Sequence, residues 1–167
     1  MTALEAAVMS EHPDNPGVIA KPPLIALACI GLGLAADWAL PVPVLPSILS
    51  APARLGIGAV LFASGIVILA LAVGRFAKAG TSFRTEKPST ALVTDGLYRY
   101  SRNPIYIGLT TAYIGVGIAA NSLWVLGLAV LFLALIRYGV IAREERYLEA
   151  KFGEAYRIYR IRVRRWL

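Results

Sequence analysis

This sequence predicts an all-α integral membrane bundle of four transmembrane helices. The last two form a tight hairpin, and an amphipathic helix follows at the membrane interface. Three observations carry that expectation. Of 167 residues, 57% are hydrophobic and only 16% are charged, where a soluble domain carries roughly 25% charged residues. The apolar residues gather into four runs of near-spanning length, instead of alternating with polar ones. The 17 Lys and Arg residues, which give a net charge of +7, are segregated from those runs. This excludes an ordinary water-soluble globule and a nucleic-acid-coating basic tail, so no nucleic-acid partner is expected. One cysteine and one histidine, Cys29 and His12, provide neither a disulfide framework nor the usual His/Cys metal ligands, and no metal is expected.

Residues 1–23 contain acids and prolines but neither the basic start nor the apolar core of a signal peptide, and read as a disordered tail. Residues 24–167 read as one membrane domain. The expected spans are 24–40, 55–74, 105–120 and 123–142. A bilayer core of about 30 Å takes about 20 helical residues. The second and fourth runs satisfy this easily, whereas the third is short. Pro41, Pro43 and Pro46 cannot continue a helix and close the first span. Only Asn121 and Ser122 separate the third run from the fourth, which demands an antiparallel hairpin. Six basic residues, Arg75, Lys78, Arg84, Lys87, Arg99 and Arg102, fill the middle loop, and nine more lie from Arg137 onward. The other two connections are almost free of positive charge. The positive-inside rule then places both termini and the middle loop in the cytoplasm of a multi-pass protein, with a bacterial inner membrane as the expected location.

Beyond the last span, Leu148, Phe152, Tyr156, Tyr159, Val163 and Trp166 recur at three- and four-residue steps. This predicts an amphipathic helix over 143–166, lying on the headgroups with its arginines toward anionic lipid. Glu144 and Glu145 stand apart from that pattern. Adjacent acids repel unless a cation or a hydroxyl-rich ligand is near.

The chemistry-bearing stretch runs Gly96-Leu-Tyr98-Arg-Tyr100-Ser-Arg102-Asn103-Pro104-Ile-Tyr106-Ile-Gly108. Pro104 suits the first turn of the third span, and Asn103 suits its cap. Helix-start N–H groups beside Arg102 make an anion site for a carboxylate or phosphate. Tyr98, Tyr100 and Tyr106 offer aromatic faces to a purine or a sulfonium cation, and Glu144 and Glu145 offer acceptors to ribose hydroxyls or an ammonium. The bland alternative is a girdle of snorkelling Arg and Tyr at the interface.

The run Gly96-x-Tyr98-x-x-x-Arg102-Asn103-Pro104-x-Tyr106-x-Gly108, then a hairpin, then Glu144-Glu145-x-x-Leu148-x-x-x-Phe152-Gly153-x-x-Tyr156-x-x-Tyr159, closely resembles the isoprenylcysteine carboxyl methyltransferase and phospholipid methyltransferase superfamily. The resemblance spans Thr81 to Trp166. It implies an integral membrane methyltransferase using S-adenosylmethionine, acting at the cytoplasmic face on a lipophilic or small-molecule acceptor such as a prenylcysteine carboxylate, a lipid amine or a thiol. It implies cofactor binding by Gly96, Tyr98, Arg102, Asn103, Pro104, Tyr106, Gly108, Glu144 and Glu145. One departure stands out: the isoprenylcysteine enzymes usually carry His after the Arg, and Asn103 cannot titrate near neutrality. Arg137 and Arg143 flank the expected pocket and are the candidates for holding an anionic acceptor, Arg137 being the costlier to bury. Two other readings remain at this stage: a four-span transporter built on the intramembrane Asp37, and a non-catalytic membrane scaffold.

Overall fold

The computed structural model describes residues 15–45, 49–83 and 88–167. His12, Pro46, Arg84, Lys87 and the first 14 residues of the expected tail lie outside the described residues. The described chain is helical: α1 (Pro22–Ala39), α2 (Ala51–Lys78), a short 3-10 turn (Gly96–Arg99), α3 (Pro104–Ala120), α4 (Leu123–Ala134), a π-helical segment (Leu135–Ile141), α5 (Ala142–Phe152) and α6 (Glu154–Arg162). α1, α2 and the continuous stretch from α4 through α5 are long and apolar enough to cross a membrane, and α3 is a shorter apolar helix. Its 17 residues reach about 25 Å at 1.5 Å per residue.

The helices pack in two pairs, α2 on α3 and α1 on α4. The first pair meets backbone to backbone. A Cβ built on Gly65 would stand 2.5 Å from both Ala112 N and Gly108 O, and one on Gly58 would stand 2.6 Å from Gly115 O. Small residues allow this approach where lipid gives no hydrophobic drive to helix association. The α1–α4 side is filled by Ile25, Ala26, Cys29, Val125, Ala129, Phe132 and Ile136. Tyr113 stacks on Phe132 at 5.1 Å and donates to Val125 O at 2.9 Å.

Hydrogen bonds fasten the end of the bundle at which α1 finishes. Leu123 N donates to Val42 O at 2.9 Å, Leu45 N to Asn121 Oδ1 at 2.9 Å and Trp124 Nε1 to Leu40 O at 2.8 Å. Asn121 takes the left-handed conformation that ends α3 (φ 53°), and Ser122 caps α4 by accepting from Val125 N. From α1 to α4 each helix therefore runs opposite to the one before it. The start of α1, the end of α2, the start of α3 and the turn from α4 into α5 gather at the other end.

Of the tail that the sequence suggests over residues 1–23, the described part is held to the bundle: Ile19 N donates to Gly139 O at 3.3 Å and Arg143 Nη1 to Gly17 O at 2.6 Å. These bonds lay the segment along the π-helical turn. The amphipathic 143–166 stretch, expected as one helix, is two. It breaks at Gly153, whose φ of 52° is one that glycine adopts without a Cβ penalty, and it ends at Arg162. Its apolar side is covered by protein: Tyr156 and Tyr159 are buried with Tyr98, Val93 and Ala72.

The backbone contact between α2 and α3 yields a stability test. Gly65→Ala should cost about 1–3 kcal/mol, the usual penalty for overpacking, and lower the thermal unfolding midpoint in detergent. Gly56→Ala, where nothing stands within 4 Å of the built Cβ, should be neutral or slightly stabilising. Equal effects at the two positions would remove the close α2–α3 contact.

Candidate active site

At the gathered end lies a cavity of about 800 Å³, within the usual range of small-molecule sites. One wall is apolar: Ile66, Leu69, Ala70, Val73 and Phe76 of α2 with Leu24 of α1 and Ile105 and Leu109 of α3. The other wall is polar and aromatic: Tyr98, Arg102, Asn103, Tyr106, Glu144, Glu145, Tyr147, Tyr156 and Tyr159. The two sequence stretches, about 40 residues apart, thus face one space.

The π-helical segment contributes to this meeting. An i→i+5 turn takes up an extra residue and rotates whatever follows. Ile136, Gly139, Val140 and Ile141 of the segment stay buried, and Glu144 and Glu145 then emerge on the cavity side. Glu144 Oε1 accepts from Tyr106 Oη at 2.7 Å. Glu145 is held by two guanidinium groups. Arg165 donates from Nε and Nη2 at 3.1 and 2.6 Å, and Arg102 Nη2 lies 3.1 Å away. The cation that two adjacent acids require is therefore built into the chain. The Arg102 side chain is only 10% exposed, and its Nε and Nη1 have no hydrogen-bond partner among the described residues.

Tyr98 is fixed on three sides. Phe76 meets its ring edge-on at 5.5 Å, Tyr159 Oη donates to its carbonyl at 2.8 Å, and the 3-10 turn carries it inward. Burial pushes the Tyr98 and Tyr159 phenols well above their ordinary range and that of Tyr156 up to about 12. All three remain neutral donors at physiological pH.

The remaining expected site residues differ in what they touch. Asn103 occupies the position before α3, and its carbonyl accepts from Tyr106 N and Ile107 N. Its side chain does not cap the helix; Nδ2 donates instead to Arg165 O at 2.9 Å. Pro104 is buried as the first residue of α3. Gly108 serves packing, since its Cβ would stand 2.7 Å from Gly65 O. Gly96 has φ 59° and abuts the Arg75 side chain, so it shapes the turn that delivers Tyr98. Tyr100 is 72% exposed and turned away from the cavity.

Neither candidate acceptor arginine lines the cavity. Arg137 opens onto a separate cleft with Thr110, Thr111, Tyr138 and Trp166, lying over the Tyr138 ring at 5.5 Å. Arg143 is taken by Gly17 O. In each case the helix turns the side chain to another face. Asp37, the basis of the transporter reading, sits in the last turns of α1 at the opposite end, where it accepts from Val42 N at 3.5 Å. Arg165 and the α2 wall were missed from sequence. Arg165 reads there as one more solvated arginine, and α2 carries no motif.

These features define a membrane-embedded helical protein whose mainly apolar cavity carries a cluster of charged and tyrosine side chains. The family model described as phospholipid methyltransferase matches residues 53–155, from α2 to the start of α6. The chain belongs to this family, which points to a membrane methyltransferase. It is also 55% identical over 47 residues to an uncharacterized protein of Haemophilus influenzae, covering 28% of this chain and 73% of that protein. No solved structure matches the chain.

The tie behind Tyr98 can be checked directly. Tyr159→Phe keeps the ring but leaves the buried carbonyl of Tyr98 without its donor, a loss of about 1–3 kcal/mol. Chemical unfolding of the detergent-solubilised protein should show that loss, and an unchanged midpoint would argue against the bond.

Proposed function

We propose that this protein is an S-adenosylmethionine-dependent methyltransferase that modifies a lipid acceptor at the cytoplasmic face of a bacterial inner membrane. Four antiparallel spans, the last two a hairpin, hold the site at their cytoplasmic end. The alternation of the helices supports this topology, as do the basic residues Arg75, Lys78, Arg99 and Arg102 around the cavity end. α3, short as it is, reaches the surface through the Asn103-Pro104 corner.

The observation that carries the reading is Arg102. Its guanidinium is nine-tenths buried beside the cavity, and two of its donors have no partner among the described residues; this suits an anionic ligand group, because unpaired buried polar atoms are costly. Glu144, held by Tyr106, suits an ammonium or ribose hydroxyl in the same ligand, and Tyr98 and Phe76 suit its purine. An amino-acid nucleoside presents all of these groups together. When bound, S-adenosylmethionine supplies a methyl group on a sulfonium, a good leaving group for in-line displacement. The chain's own residues then have two tasks: to align donor and acceptor, and to exclude water. Arg102 and Glu144 fix the donor's polar end. The α1–α2–α3 wall suits the hydrocarbon of the acceptor, entering laterally from the bilayer, while the donor enters from the cytosol. The family's description favours a phospholipid among the lipophilic acceptors.

Purified protein in lipid nanodiscs should bind S-adenosylmethionine by calorimetry and transfer label from its methyl group into the lipid extract. Arg102→Ala should weaken that binding at least tenfold, the range for a lost charge-assisted hydrogen bond. Absence of cofactor binding by the unmodified protein would remove the proposal, and label recovered only in a water-soluble product would remove the lipid acceptor.

A further inference from the structure

At one point the site holds more cation than anion. Glu145 faces both Arg102 and Arg165. Arg165 takes its two oxygens as a fork, Nε to Oε1 and Nη2 to Oε2, while Arg102 touches Oε1 through Nη2 alone. Two guanidiniums against one carboxylate leave one positive charge over. The donors without partners, Nε and Nη1, are both on Arg102, which lines the cavity. A buried guanidinium beside a free carboxylate would ordinarily engage it bidentately. Arg165 already occupies that geometry.

We propose that Arg165 is a positioning residue for the methyl donor. By holding both oxygens of Glu145 it stops Arg102 from pairing fully with that carboxylate, and so keeps Arg102 Nε and Nη1 for the donor's own carboxylate. The inference rests on the methyl-donor reading of the cavity. The path of the backbone explains how a residue so near the end of the chain reaches the site. After α6 the chain runs extended past the corner that carries Arg102. Arg102 N donates to Arg164 O at 2.9 Å, Ser101 Oγ to Arg165 O at 3.2 Å and Asn103 Nδ2 to the same carbonyl at 2.9 Å. On the Arg164–Arg165 side these bonds use main-chain carbonyls, so substituting the Arg165 side chain leaves the strap in place. Arg165 lies beyond the residues that match the family.

The test titrates full-length protein in nanodiscs with S-adenosylmethionine and, separately, with its decarboxylated analogue. Arg165→Ala should weaken S-adenosylmethionine binding about tenfold or more and leave affinity for the analogue within about twofold of wild type, because the analogue has no carboxylate for Arg102. Adding Glu145→Gln to Arg165→Ala should recover most of the lost affinity by releasing Arg102. Arg165→Lys, whose point charge cannot take both oxygens, serves if the alanine variant does not fold; it should lose several-fold with the same rescue. Equal S-adenosylmethionine affinity in the wild type and Arg165→Ala overturns the inference while leaving the methyl-donor reading intact. So does an equal loss for both ligands, or a loss that Glu145→Gln does not repair. Wild-type protein that binds neither ligand overturns the methyl-donor reading itself.

Discussion

A guanidinium nine-tenths removed from solvent at the end of an apolar bundle has to be paired, since an uncompensated buried charge costs several kcal/mol. Arg102 meets that condition through Glu145, and much of the molecule's architecture serves the meeting. Arg102 stands just before α3 and Glu145 in α5. They come together only because Asn121 and Ser122 return the chain at the far end and because the π-helical segment turns α5 so that its acids face inward. The start of α3 is held by the Asn103 carbonyl, and the end of the chain is tied across the same corner. The Tyr106–Glu144 and Tyr159–Tyr98 hydrogen bonds join the same two stretches beside the ion pair.

The apolar wall comes from a different physical source. α2 carries no residue of evident chemistry, yet it supplies most of the cavity's hydrophobic surface. It does so because glycines on both helices let α2 and α3 touch through their backbones, with Gly65 against Gly108 and Gly58 against Gly115. The close approach at that pair and the open space at the charged end are complementary. Gly108 thus belongs to the site's framework, although its place in a conserved-looking motif invites assignment to the ligand.

Division of labour between the two glutamates follows from their partners. Glu144 has one donor, the Tyr106 hydroxyl, and keeps acceptor capacity toward the cavity. Glu145 has both oxygens engaged by guanidiniums and acts as the counter-ion that sets where Arg102 points. Adjacent in sequence and alike in chemistry, they can be told apart only by what surrounds each.

Much was written in the primary sequence. Apolar runs and segregated arginines define the helices of a membrane protein because hydrophobicity and helical length are local quantities. The Arg102-Asn103-Pro104-x-Tyr106 and Glu144-Glu145 stretches carry the family resemblance by their residue order alone. What tertiary structure decided is which faces meet. It sent Arg137 to a separate cleft and Arg143 to the Gly17 carbonyl. It drew Asn103 away from capping, and it folded the tail at Gly153 so that Tyr156 and Tyr159 pack on the Tyr98 turn. It also brought Arg165 to Glu145, 20 positions away. None of these has a local signature. The direction of a side chain at the end of a helix depends on the summed rotation of every turn before it, and one π-helical turn changes that sum without altering any residue type.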